Sequence, residues 1–166
     1  MACLAVVGVG RIGGEVAYMA ASLGIADELV LLDTATDLLR AQVLDLQHTG
    51  LDVAISTSVA DVRGADLCLF SAGIPRTPSV RTRADLLNSN LPATNDCVGI
   101  LDGFCGVLIT VTNPMDVNNY LLHCRTKIPR ERCIGFGGQL DSARFGIALH
   151  DRKMGGPAYV LGEHGE

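Results

Sequence analysis

The chain is short of positive charge. Its 13 lysines and arginines face 18 aspartates and glutamates, for a formal net charge of −5 at pH 7. That balance argues against a general binder of nucleic acid or of a membrane surface. A small anionic ligand is still admitted, because a cluster of arginines makes a local positive site. The six cysteines, Cys3, Cys68, Cys97, Cys105, Cys124 and Cys133, contain no C-x-x-C pair. They therefore read as buried, reduced thiols of a cytoplasmic protein, and neither a disulfide framework nor a zinc or other metal site is expected. There is no apolar run of about eighteen residues and no charged leader, so neither a membrane span nor a secretory signal is expected. Low-complexity segments and linkers are absent too.

What is present is apolar and regularly punctuated. Hydrophobic residues fill 48% of the 166 positions and charged residues 19%, which suits one globular domain with its own core. Strands are expected at 3–7, 29–32, 53–56, 67–71, 106–111 and 132–135, with a last short one at 158–161. Helical patterns fall at 12–23, 36–48, 84–101, 116–124 and 140–150, and Pro92 is expected to break or bend the third. Strands alternating with helices imply an α/β fold: a Rossmann-type, doubly wound, mainly parallel six-stranded sheet with helices on both faces.

The first strand runs straight into Gly8-Val9-Gly10-Arg11-Ile12-Gly13. In the order strand, glycine turn, helix, each glycine has a task. Gly8 permits the tight turn, Gly10 lets a pyrophosphate approach the backbone, and Gly13 lets helix and strand pack closely. The helix start offers amide N–H groups and positive dipole character to phosphates. A second apolar run, 29–32, ends in Asp33, twenty residues beyond Gly13, where a carboxylate accepts hydrogen bonds from an adenosine ribose. Together these features point to a dinucleotide. Asp33 favours NAD, since a 2′-phosphate would face a carboxylate, and Thr34 next to it brings no positive charge.

Ligands of open α/β sheets bind beyond the carboxyl ends of the strands, and the notable polar residues lie there. Asp33 follows strand two, Arg76, Arg81 and Arg83 follow strand four, Asn113 follows strand five and His164 follows the last. Asp141 and Arg144 share a helix face. The pieces GVGRIGG, LLD, DLQH, SAGIPR, TRADLLNSN, VTNPMDV, QLDSARF and GEHGE run in order along nearly the whole chain. In these the sequence resembles the lactate/malate dehydrogenase family, and within it the malate dehydrogenases, with GGQLDSARF leaning to the archaeal type.

The resemblance implies hydride transfer between a 2-hydroxy acid and NAD. It casts His164 as the proton acceptor from the substrate hydroxyl, and Asp141 as the partner that holds its ring. Arg144 would clasp the first carboxylate and Arg83 would polarise the carbonyl oxygen. Asn113 would position nicotinamide or substrate. Arg11, Ile12, Ala72, Gly73, Asn90 and Val111 would join the glycines and Asp33 around the cofactor. Arg76 would face a second carboxylate, as in malate or oxaloacetate. As plainer readings, Asp141 and Arg144 form a helix-surface pair, and Arg81 is a solvated loop charge.

Asp45 and His48 match the family's DL-x-H helix at subunit contacts, which implies a homodimer or homotetramer of the full-length protein. The loop from Pro75 to Arg83 departs from the family's P-R-x-P-G-M-T-R. Ser79 stands for the glycine, one extra residue separates the two arginines, and Glu166 stands for the usual aspartate. Residues 1–157 are expected to form the NAD-binding domain and 158–166 to open a catalytic domain.

Overall fold

The computed structural model describes residues 2–74 and 82–162. Six strands form one sheet: β1 Cys3–Val7, β2 Glu28–Leu32, β3 Ala54–Ser56, β4 Leu67–Phe70, β5 Val107–Thr110 and β6 Cys133–Gly135. They lie in the order β3-β2-β1-β4-β5-β6 and every pairing is parallel. The helices are α1 Arg11–Ser22, α2 Thr36–His48, α3 Arg83–Ile100, α4 Met115–Arg125 and α5 Gln139–Asp151, with short 3₁₀ turns at Val59–Gly64 and Arg130–Arg132.

The central strands β1 and β4, and β2 after Glu28, are apolar along their length because both faces of the sheet are covered there. Alternate residues feed two cores. Leu4 and Val6 of β1, Leu29 and Leu31 of β2, and Leu69 of β4 pack with Ala17 and Ala20 of α1 and Leu46 of α2. Ala5, Val7, Val30, Leu32, Cys68 and Phe70 point the other way, onto Cys97 of α3 and Leu122 of α4. Strand order reverses between β1 and β4, so the chain leaves these neighbours in opposite directions. A crevice opens at their carboxyl ends, where such folds bind ligands.

Three expectations need correction. Residues 158–161 form no strand. The Val160 amide donates to Ser142 Oγ at 2.9 Å, and Tyr159, Val160 and Leu161 are exposed. Pro92 does not break α3, which runs through it from Arg83 to Ile100. The proline sits on the exposed face, while buried Asn90, Thr94 and Cys97 hold both halves of the helix to the body. Cys105 and Cys124 are exposed, and only Cys68 and Cys97 are fully buried. Cys105 lies in the loop before β5 and Cys124 on the outer side of α4. Among the described residues, no helix is long and apolar enough to cross a membrane, and no group of His, Cys, Asp or Glu could hold a metal ion.

Burial pushes the Cys68 thiol up to about 12 from an ordinary 9.0. It also pushes Cys97 well above that ordinary value, with Cys68 as a lesser cause. A raised thiol keeps its proton in the fold while the unfolded chain releases it. Stability is therefore whole below about pH 9 and falls as pH rises toward 12, by about 1.4 kcal/mol per pH unit for such a thiol. Urea unfolding at about pH 8 and about pH 10.5 should show this fall, and show it less steeply in Cys68→Ala. An equal fall in the variant would contradict it.

Candidate functional site

The glycine turn is built as its spacing requires. Gly8 has φ +94°, and a Cβ there would lie 2.3 Å from the Ala72 amide nitrogen. A Cβ on Gly13 would meet the Gly8 carbonyl oxygen at 1.9 Å and Ser71 Oγ at 2.7 Å. These two glycines let β1, the start of α1 and the end of β4 touch. Gly10 differs, because a Cβ there would meet nothing within 4 Å. It is the N-cap of α1, with no side-chain cap and no acid in the first turn. The amides that open the helix therefore face an uncrowded space, as an anion site requires.

Two side chains brace the turn. Ser71 Oγ donates to the Gly8 carbonyl at 2.8 Å. The Asp33 carboxylate accepts from the Val9 amide at 2.9 Å and, on its other oxygen, from the Ala35 amide at 2.9 Å. Asp33 thus lies where the sequence put it, at the end of β2, and it also holds the glycine turn. Each of its oxygens keeps a lone pair for a ribose hydroxyl.

From Gly10 a cavity of about 750 Å³ runs across the carboxyl ends of β1, β4 and β5. It brings together Gly10, Arg11, Ile12, Gly73, Arg83, Asn90, Val111 and Asn113, residues far apart in the chain. Arg83 is the first residue of α3, set by a capping box in which Thr82 Oγ1 accepts the Asp85 amide at 3.1 Å and Asp85 accepts the Thr82 amide at 2.9 Å. Asn90 is 2% exposed. Its Oδ1 accepts the Ile74 amide at 2.7 Å and its Nδ2 donates to the Asn113 carbonyl at 2.7 Å. Its amide therefore ties the loop after β4 to the loop after β5.

Residues 2–135 match the family described as lactate/malate dehydrogenase, NAD binding domain. The chain belongs to the lactate/malate dehydrogenase family. It is 37% identical to L-lactate dehydrogenase 2 of Bacillus cereus over 171 aligned positions, covering 96% of this chain and 54% of that protein. The chain thus spans about half the length of the curated relatives it matches. The minor L-lactate dehydrogenase of Enterococcus mundtii superposes with a TM-score of 0.88 at 30% identity, over 99% of this chain and 56% of that one. The malate dehydrogenase of Archaeoglobus fulgidus in complex with NADH also gives 0.88 at 30%, over 99% and 59%.

In this member of the lactate/malate dehydrogenase family the cofactor is NAD, and the residues present fit it. The open space over Gly10, the uncapped start of α1 and the carboxylate of Asp33 answer to the pyrophosphate and a ribose. Replacing Gly10 with alanine should leave the unfolding free energy, read by urea denaturation, within about 0.5 kcal/mol of wild type. The same methyl should weaken NADH binding, read by nucleotide fluorescence, about ten-fold or more, because it fills the space the pyrophosphate needs.

Outside this cavity, Asp141 and Arg144 stand in the first turns of α5 and pair with each other at 3.1 Å, with side chains 39% and 68% exposed. A pair so placed on a helix surface contributes only tenths of a kcal/mol to stability. Arg76, Arg81 and His164 lie outside the described residues. Sequence reasoning missed Ser71 and Thr112, both lining the cavity. The available signal was a hydroxyl residue just beyond the carboxyl end of β4 or β5. It also missed the Thr82–Asp85 box, although T-x-x-D before a helix is a readable pattern.

Proposed function

We propose that the chain is the NAD-binding part of an NAD-dependent malate dehydrogenase, an enzyme that interconverts malate and oxaloacetate. The observation that carries this reading is the single cavity joining the open turn at Gly10 to Arg83 and Asn113. NAD, when bound, supplies a hydride acceptor. The chain's own residues handle the proton and the charges. The His164 imidazole takes the hydroxyl proton as the carbinol carbon is oxidised, and returns it in the reverse direction. Asp141 holds that ring in one tautomer and stabilises the imidazolium. Arg144 clasps the carboxylate next to the reacting carbon. For both to act, the Asp141–Arg144 pair must open or share its partners. Arg83 stabilises negative charge on the carbonyl oxygen, and Asn113 positions nicotinamide or substrate.

Arg76 decides between malate and lactate. A second carboxylate neutralises its guanidinium, whereas the methyl group of pyruvate leaves that charge without a partner. A charge-assisted hydrogen bond contributes about 1.5–3 kcal/mol, or roughly one to two decades. NADH oxidation should therefore run at least about ten-fold more efficiently with oxaloacetate than with pyruvate, and Arg76→Gln should erase the preference. Equal efficiency with pyruvate would assign the chain to lactate or another 2-hydroxy acid. Saturable NADH binding without turnover would restrict it to a dinucleotide-binding module.

We place the end of the NAD-binding unit at residue 157, with 158–166 opening a substrate-covering unit. An apolar hollow of about 690 Å³ beside α1, lined by Ile12, Val16, Met19, Leu67, Leu69 and Ile109, supports a further unit packing on that face. The full-length protein is proposed to be a homodimer or homotetramer, a reading supported by exposed Asp45 and His48 on α2.

A further inference from the structure

Behind the Asn113 end of the cavity lies a run of polar side chains in a place where apolar ones would pack. Thr94 of α3 and Asn118 of α4 are both 0% exposed. Thr94 Oγ1 lies 3.0 Å from Asn118 Oδ1 and 3.1 Å from the Asn90 carbonyl, two acceptors for its single proton. Asn118 Nδ2 donates to the Thr112 carbonyl at 3.0 Å. Asn90 Nδ2 holds the next carbonyl along, that of Asn113, at 2.7 Å. Thr112 Oγ1 donates to the Ala72 carbonyl at 2.8 Å. The two consecutive carbonyls beyond β5 are thus gripped by side-chain amides from α3 and α4, and the loop after β4 is tied to the same knot. No buried side-chain nitrogen or oxygen among the described residues lacks a partner. Valine and leucine have nearly the shapes of Thr94 and Asn118. Burying hydroxyl and amide groups here brings orientation of the backbone rather than added apolar packing.

We infer that Thr94 and Asn118 are positioning residues for the nicotinamide half of the cofactor, acting through the carbonyls of Thr112 and Asn113. The inference rests on the NAD reading. With the pyrophosphate at Gly10 and one ribose at Asp33 on the β2 side, the second riboside must cross β1 toward β4 and β5. There it meets the wall that this network fixes, made of Gly73, Val111, Thr112 and Asn113. Neither Thr94 nor Asn118 lines the cavity, so each acts only through what it holds.

The test compares NADH with ADP-ribose, which carries the same adenosine, pyrophosphate and second ribose but no nicotinamide. Dissociation constants are measured by calorimetry for the whole chain. Thr94→Val and Asn118→Leu should weaken NADH about ten-fold and ADP-ribose less than about two-fold, while Thr94→Ser, which keeps the hydroxyl, should bind both as wild type does. ADP-ribose binding also reports that each variant is folded. If Asn118→Leu does not fold, Thr94→Val against Thr94→Ser decides. Equal losses for both ligands, or no loss for NADH, would overturn the inference and leave the NAD reading standing. Failure of the wild-type chain to bind either ligand would overturn the NAD reading and this inference with it.

Discussion

Replacing Gly8 with alanine should destabilise the fold by about 4 kcal/mol, from left-handed strain of about 1–3 kcal/mol and overpacking of similar size. Both causes act at one atom. The residue sits at φ +94°, and its new Cβ would lie 2.3 Å from the Ala72 amide nitrogen and 2.4 Å from the Ala72 Cα. These are backbone atoms at the end of β4, so no flexible side chain can swing aside. Relief requires β1 and β4 to part, which would disturb the pairing of Val7 with Phe70. Domains of this size hold only about 5–15 kcal/mol in all. The urea midpoint should fall accordingly, and the contrast with Gly10→Ala is the informative part. Two residues along the same motif, the same added methyl would leave the midpoint almost unmoved. An unchanged midpoint in Gly8→Ala would show that the turn yields more easily than its geometry implies.

Under the proposed function, His164→Asn should lower oxaloacetate-dependent NADH oxidation by about a hundred- to ten-thousand-fold, the usual contribution of a positioned acid–base group. NADH affinity should stay within about two-fold, since the imidazole is proposed to handle the substrate proton and not the dinucleotide. Asparagine keeps a polar side chain of similar reach but cannot carry the proton. A merely structural histidine would behave differently, because its loss would lower the melting temperature with little selective effect on turnover. Steady-state rates, NADH titration and a thermal melt on one preparation separate these cases. Retention of full turnover in the variant would remove His164 from the mechanism.

The sheet and its ligand-binding edge were legible because their signals are local. An apolar run such as Leu29–Leu32 can be buried on both faces only in a covered sheet. Gly8, Gly10 and Gly13 each answer to a backbone constraint that few other residues satisfy. Asp33 was readable by its distance from the glycines. Its hold on the Val9 amide was not, since nothing in either segment records that β1 and β2 end side by side. The same reason hid Thr94 and Asn118, whose bond joins positions that only the packing of α3 on α4 brings together. The break expected at Pro92 does not occur, because the missing amide is a local signal and the buried Asn90, Thr94 and Cys97 that hold α3 on either side of it are not. The 158–161 segment misled because three exposed apolar residues look like a strand until a sheet edge is sought for them. The Asp141–Arg144 pair shows a further gap. Its spacing predicts the contact seen, yet spacing cannot tell a surface pair from two catalytic groups at rest.

The central claim, a dinucleotide lying across the glycine turn, is tested most directly by titration of the wild-type chain with NADH. The predicted result is saturable one-site binding, followed by nucleotide fluorescence, competed by ADP-ribose and weakened in a still-folded Gly10→Ala. Binding that does not saturate, or that is the same in Gly10→Ala, would contradict it.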